Sequence, residues 1–154
     1  LVKALGIKGE DETKMLIDRN RMILAYLNQS FTVARLKQNM RNLAEKIDFT
    51  PDALIVDGLD FTNTPAETFQ GLKELAREFR VEVWFSALCH PGVPETDERG
   101  IPHPCIHVAD QCSIIVQLLP TPSALLLKLV KDHENPVLPD THVRLDPNTF
   151  LVMD

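Results

Sequence analysis

The sequence predicts an α/β fold: a mainly parallel central sheet flanked by helices, extended by antiparallel strands toward the C-terminus. Three observations carry this prediction. Short continuous apolar runs alternate with longer stretches whose apolar residues recur at helical spacing, the order expected of crossover units in a parallel sheet. Nine of the eleven prolines lie from Pro91 onward, so turns and short strands should dominate the second half. Two apolar runs in that half are joined only by Pro120-Thr-Pro-Ser123, a link that suits antiparallel neighbours.

The elements follow in chain order. Met22-Ile-Leu-Ala-Tyr-Leu27 is an apolar run of strand length, closed by the polar Asn28-Gln29-Ser30. From Val33 the apolar residues Val33, Leu36, Met40, Leu43, Ala44 and Ile47 share one helical face, with Arg35, Lys37, Arg41 and Lys46 between them. Ala53-Leu-Ile-Val-Asp57 is a continuous apolar run ending in a carboxylate and Gly58, as a strand buried on both faces would read. Thr64-Pro65-Ala66-Glu67 then announces a helix: Thr64 is placed to cap it, Pro65 suits its first position, and Glu67 completes a capping box. Phe69, Leu72, Leu75, Ala76 and Phe79 form its apolar stripe, and Val81-Glu-Val-Trp-Phe-Ser86 follows as a third strand.

Residues 89–111 read as a long, mobile, proline-rich connection, uncommon in a compact domain unless functional. Cys112–Leu119 and Ala124–Val130 form the antiparallel pair, and His142–Leu145 with Phe150–Met153 form a last hairpin around Asp146-Pro-Asn148.

Size and charge restrict the function classes. With 154 residues, 44% hydrophobic and 25% charged, the chain has the composition of a soluble globular protein and is read as one domain over residues 1–154. A domain of about 150 residues buries roughly two-thirds of the surface of its unfolded chain, so neither disulfide nor metal is required to hold it. The three cysteines Cys89, Cys105 and Cys112 are an odd number at irregular spacing, which points to a reducing compartment and hence the cytoplasm. No run of about 18 apolar residues is present, so a membrane span is not expected. The chain opens on Leu1 within helix-like sequence, and an upstream part of a larger protein is expected.

The net charge of −6 divides unevenly: residues 1–50 hold nine basic and six acidic residues, whereas residues 51–154 hold seven and sixteen. The basic residues of the 33–47 helix suit phosphate contact, but with the chain negative overall nucleic-acid binding lacks support, and a solvated helix face accounts for them.

Ligands of open parallel sheets bind outside the carboxyl ends of the strands, which here are Asn28 to Ser30, Asp57, and Ser86 to His90. Asp57 stands out, because a hard cation such as Mg²⁺ needs an anionic oxygen on a rigid strand, and an apolar run ending in Asp supplies one. An Asp-Gly turn closing a strand would read the same way. A glycine-rich phosphate loop of the G-x-x-x-x-G-K-[ST] form is absent, and Gly6-Ile-Lys-Gly9 reads as a turn. Cys89, His90, His103, Cys105, His107 and Cys112 cluster in sequence, but alternate residues of an extended His103-Pro-Cys105-Ile-His107 point to opposite sides, which does not suit a structural zinc site.

In their order, the strand ending at Asp57, the helix 65–79, Val83-Trp-Phe-Ser-Ala-Leu-Cys-His90, His107-Val-Ala-Asp110 before Ile114–Leu118, and Leu127-Lys-Leu-Val-Lys-Asp-His133 resemble the second half of a RecA-like ATPase core, particularly its DnaB and KaiC branches. The resemblance covers residues from about 20 to 154. It implies ATP and Mg²⁺ as ligands and a homo-oligomeric parent. It also implies that Asp57 holds Mg²⁺ through water, that Ser86 lines the phosphate end of the third strand, and that Lys131 acts across a subunit interface. Two positions depart from the family pattern. Ala87 stands where the DnaB-like pattern has a sensor glutamine and cannot hydrogen-bond a phosphate, and His133 stands where an arginine is expected and lacks its planar, permanently charged fork. The 154 residues alone are therefore expected not to hydrolyse ATP, and a non-catalytic regulatory or scaffold module with a degenerate nucleotide site is the competing reading.

Overall fold

The computed structural model describes residues 9–27, 30–89, 96–135 and 142–153. It is a mixed α and β structure with two compact units, Tyr26–Ser113 on the one hand, and Leu1–Ala25 with Ile114–Asp154 on the other.

In the first unit, α2 (Val33–Ile47) and α3 (Ala66–Phe79) accompany a parallel pair, β1 (Ala53–Val56) and β2 (Glu82–Phe85). Helix α2 begins where its apolar period begins. The Thr32 side chain accepts the Arg35 backbone N–H at 3.1 Å and so satisfies one of the donors that a helix start leaves open. Its apolar face buries Leu36 and Met40, and α3 buries Phe69, Leu72 and Leu75. The two helices meet closely at Gly71, where an added Cβ would lie 3.3 Å from Val33 Cγ2. Across the same pair, Glu78 of α3 accepts hydrogen bonds from Lys37 and, at 3.0 Å, from Arg41 Nη2. The Lys37 hydrogen bond, with Arg41 beside it, holds the Glu78 carboxyl below its usual range.

Helix α3 starts one residue later than its sequence signature suggests. Pro65 is the residue before the first helical position, with extended ψ, and no side chain caps the end, so the expected Thr64–Glu67 capping box is not formed. The reason lies in the preceding turn: the Thr64 N–H donates to Asp60 O at 2.8 Å, which draws Thr64 into the loop rather than onto the helix. Glu67 still lies in the first turn, where its charge suits the helix dipole.

After β2, residues 96–111 carry more structure than a proline-rich connection suggests. Thr96 and Pro102 form a β-bridge, His103-Pro104 is a cis peptide, and Ile106–Gln111 form a 3-10 helix with Val108 and Ala109 buried. Val108 joins Phe61 and Phe69 in a core cluster on which Leu59, Phe85, Ala87 and Cys105 pack.

The second unit contains α1 (Glu10–Arg19) and an antiparallel sheet of order β3-β4-β5, formed by Ile114–Pro120, Leu125–Asp132 and His142–Leu145. The turn joining β3 to β4 is closed by Thr121, whose N–H and Oγ1 both donate to Ala124 O while Oγ1 accepts the Ala124 N–H. A bulge at Ile115/Val116 interrupts the β3–β4 ladder.

Four further expectations are corrected. Met22–Leu27 is not a strand; Ile23 is 74% and Leu27 84% exposed, because an apolar run becomes a strand only when a neighbour pairs with it. The parallel and antiparallel strands form two separate sheets among the described residues rather than one continuous sheet. Strand β1 is not buried on both faces: Leu54 and Val56 are half-buried, whereas Ile55 is 76% exposed, as is half of Trp84 beside it on β2. The last hairpin is reduced to a single bridge between Leu145 and Val152. Of the Gly6–Gly9 turn, only Gly9 lies within the described residues, at the start of α1.

Two substitutions test this packing by urea denaturation. Leu72→Ala, which empties a fully buried site on α3, is expected to cost about 2–5 kcal/mol. Thr32→Ala, which removes a cap without touching the core, is expected to cost about 1 kcal/mol.

Candidate functional site

Strand β1 delivers Asp57 to its carboxyl end, and the chain then turns at Gly58, whose left-handed φ of 73° favours glycine. A Cβ at Gly58 would meet nothing within 4 Å, so the space beside the strand end is open. Strand β2 runs parallel to β1 with Val56 opposite Phe85, and the Ser86 N–H donates to Val56 O at 3.2 Å. That bond extends the ladder by one step and places Ser86 next to Asp57. The Ser86 hydroxyl donates a short hydrogen bond to Asp57 Oδ1, and both residues are exposed.

The loop behind Asp57 is fixed by local hydrogen bonds. Asp60 accepts the Asn63 N–H at 3.1 Å and the Asn63 side-chain amide at 2.8 Å. The Asn63 side chain is the main reason that the Asp60 carboxyl titrates below its usual range. Phe61, next in the chain, inserts into the core cluster.

Lys131 lies on β4 opposite Ile115, in the other unit, and is half-buried. His133 follows with a left-handed φ of 53°, its Nδ1 2.8 Å from Asp132 Oδ1. The structure thus brings two of the expected site residues, Asp57 and Ser86, into direct contact, with Lys131 on a separate sheet. Of the strand-end residues Asn28 to Ser30, only Ser30 is described, and its hydroxyl donates to Leu27 O at 2.6 Å.

What can this arrangement hold? One carboxylate and one hydroxyl are hard oxygen groups at an open edge. Mg²⁺ is commonly held by one or two carboxylates together with water and substrate phosphates rather than by an all-protein cage, so the pair fits that ion as a partial set. Among the described residues no group of three or more His, Cys, Asp or Glu is arranged to hold a metal, which leaves the cysteine and histidine segment without such a site there; His90 lies outside the described residues. The basic side chains of α2 are largely engaged within the protein: Lys37 and Arg41 bind Glu78, and Arg35 donates to Ser30 O at 3.3 Å and lies 5.8 Å from the Tyr26 ring centroid.

A network that the sequence reading missed lies beside the 3-10 helix. Asp97 accepts the Ile101 N–H at 2.9 Å and Arg99 Nε at 2.8 Å, and Arg99 Nη1 donates to Asp110 Oδ1 at 3.0 Å. The Ile101 N–H, ahead of Arg99, holds the Asp97 carboxyl below its usual range. The signal was present in Asp97-Glu-Arg-Gly100, where Asp opens and Gly closes a turn, but the Asp110 partner is eleven residues from Arg99. This network fastens the turn to the 3-10 helix.

Comparison with family models, with curated proteins and with solved structures finds no match for this chain.

Cys105 is the strongly perturbed thiol of the region. Burial pushes it up to about 11, with the nearby Cys89 and Cys112 thiols adding to the effect. Because thiolate is the reactive form, iodoacetamide at pH 8 is expected to modify Cys105 at least about tenfold more slowly in the folded chain than in urea. Peptide-resolved mass spectrometry checks this, and equal rates in the two states would contradict it.

Proposed function

We propose that the chain is the second half of a RecA-like ATPase core, which binds Mg-ATP in an intact homo-oligomeric parent and does not hydrolyse ATP as the 154 residues alone. One observation carries this reading: Asp57 and Ser86 end neighbouring parallel strands and are hydrogen-bonded to each other at an open edge. This is where ligands of open parallel sheets bind. In this reading Asp57 holds Mg²⁺ through water, Ser86 orients the carboxylate and lines the phosphate end, and Lys131 offers a positive charge to the phosphates of a neighbouring subunit. Mg²⁺ when bound would neutralise phosphate charge there. The site requires a phosphate-binding loop from outside these 154 residues.

A second reading, a regulatory or scaffold module with a degenerate nucleotide site, is favoured by a specific observation. Ala87, at the position of the family's sensor glutamine, packs on the Phe61–Phe69–Val108 cluster, so that position serves the core. His133 likewise lacks the permanent charge of arginine.

Titration of labelled ATP against the intact protein, with and without Mg²⁺, tests the first reading. Binding is expected to tighten with Mg²⁺, and Asp57→Asn is expected to weaken the Mg²⁺-dependent part by about ten- to a hundredfold, the range for groups that hold a metal through its outer shell. Failure of the intact protein to bind ATP would end the ATPase reading and leave the scaffold.

A further inference from the structure

We propose that the polar face of the antiparallel sheet binds a triphosphate group through Lys128, His142 and Arg144, with Lys131 turned onto the same face by the β-bulge. The inference stands on strand register within one unit and does not depend on nucleotide binding at Asp57. Directly opposed residues of an antiparallel pair share a face, and so do residues two apart along a strand. Gln117 of β3, Lys128 of β4 and His142 of β5 stand opposite one another in a single row. Arg144, two residues beyond His142 and opposite Leu126, lies on the same side. In a regular ladder Lys131, three residues from Lys128, would face the other way. The bulge leaves Val130 unpaired between the pairs Val116–Leu129 and Ile115–Lys131, and this returns Lys131 to the face of Ile115 and Gln117. Lys128, His142 and Arg144 are exposed, and among the described residues their side chains engage in no hydrogen bond or ion pair. No carboxylate stands on this face of the described strands, because Asp132 pairs with Ile114 and lies on the opposite one.

From residue 51 onward the sequence holds seven basic and sixteen acidic residues, yet three of those seven, Lys128, Lys131 and Arg144, share this face. The local charge is therefore opposite in sign to that of the chain. Scale selects the ligand. Adjacent strands lie about 4.8 Å apart and one strand repeat is about 7 Å, so the row and Arg144 fall within roughly 10 Å, close to a Debye length. A compact anion senses that patch, whereas a nucleic-acid strand or an anionic membrane extends over the negative remainder of the chain and is repelled there. Nor does this face of the described strands carry an aromatic side chain on which a base could stack. Linked phosphates suit the donors present. Arg144 offers a planar fork for two phosphate oxygens, Lys128 and Lys131 act as point charges, and the His142 imidazole donates from a ring nitrogen.

The experiment titrates inorganic tripolyphosphate into the protein without Mg²⁺ at low salt, followed by calorimetry. Saturable binding is expected, weakened about ten- to a hundredfold in Lys128→Gln and in Arg144→Gln, the range for one lost hydrogen bond between charged groups. Lys46→Gln, at an exposed cation of α2, should bind as the wild type, and all three variants should keep the far-ultraviolet spectrum. A parallel titration with ATP identifies the source of the group: binding no tighter than that of tripolyphosphate marks the free anion, and tighter binding with the same sensitivity to Lys128 and Arg144 marks a nucleotide. Absence of tripolyphosphate binding, binding that both variants leave unchanged, or tighter binding of an oligothymidylate or of phosphatidylserine vesicles to the same residues would each overturn the proposal.

Discussion

The packing of Phe69 is the constraint on which the first unit depends. Its ring lies 4.9 Å from that of Phe61 and 5.6 Å from that of Phe85, while Phe61 and Phe85 are 6.1 Å apart. Three segments are thereby joined: the loop after β1, the first turns of α3, and the end of β2. Val108 brings in the 3-10 helix as a fourth. Tilted and edge-on aromatic pairs contribute about 0.5–1.5 kcal/mol each beyond their buried area. What matters for the site is where the cluster lies. Phe85 immediately precedes Ser86, and Phe61 follows Asp57 by four residues, so the carboxyl ends of both strands are anchored through their neighbours in sequence.

The hydrogen bond between Ser86 and Asp57 contributes little to holding the fold. Both groups are exposed, and a bond that exchanges with water yields only about 0.5–1.5 kcal/mol. It reports the parallel register rather than creating it: Val56 opposite Phe85, and the Ser86 N–H on Val56 O, bring the two side chains together. On the nucleotide reading this weakness is useful. A carboxylate held only by a hydroxyl can be reoriented at small cost when a hydrated cation arrives, and the cation's own charge then dominates the local electrostatics. A single exposed carboxylate nevertheless binds a dication weakly, and phosphate oxygens would have to supply the rest of the shell.

Elements with a sustained period were legible in the sequence. Helix α2 spans Val33–Ile47, the limits of its apolar repeat, and the β3–β4 pair follows from two apolar runs flanking a short proline turn. The placing of Asp57 and Ser86 at one edge was legible too, because parallel neighbours end at the same edge, whereas their hydrogen bond was not. What could not be read was pairing and facing. Met22–Leu27 is as apolar as β1, yet composition does not say whether a strand edge awaits it, and none takes it up among the described residues. Ala53–Val56 reads as buried on both faces because its four side chains are all apolar, whereas Ile55 faces outward. The left-handed helix ends at Asp48 and Arg80 carry no glycine to announce them. The link from Arg99 to Asp110 joins a turn to the 3-10 helix eleven residues away in sequence, and no local pattern encodes it.

Strand alternation also bears on what the site could do chemically. Past the end of β2 it sends Ser86 outward and Ala87 inward, and the inward position is already filled by contact with the Phe61–Phe69–Val108 cluster. A glutamine at position 87 would bring an amide into that apolar packing, where without a partner it would cost about 1–3 kcal/mol, or else it would have to break the alternation to reach the open edge. Alanine removes the conflict and with it any phosphate contact from that position. Of the two residues that follow β2, only Ser86 is then available to a ligand. On the nucleotide reading, the group that senses the terminal phosphate must then come from another segment.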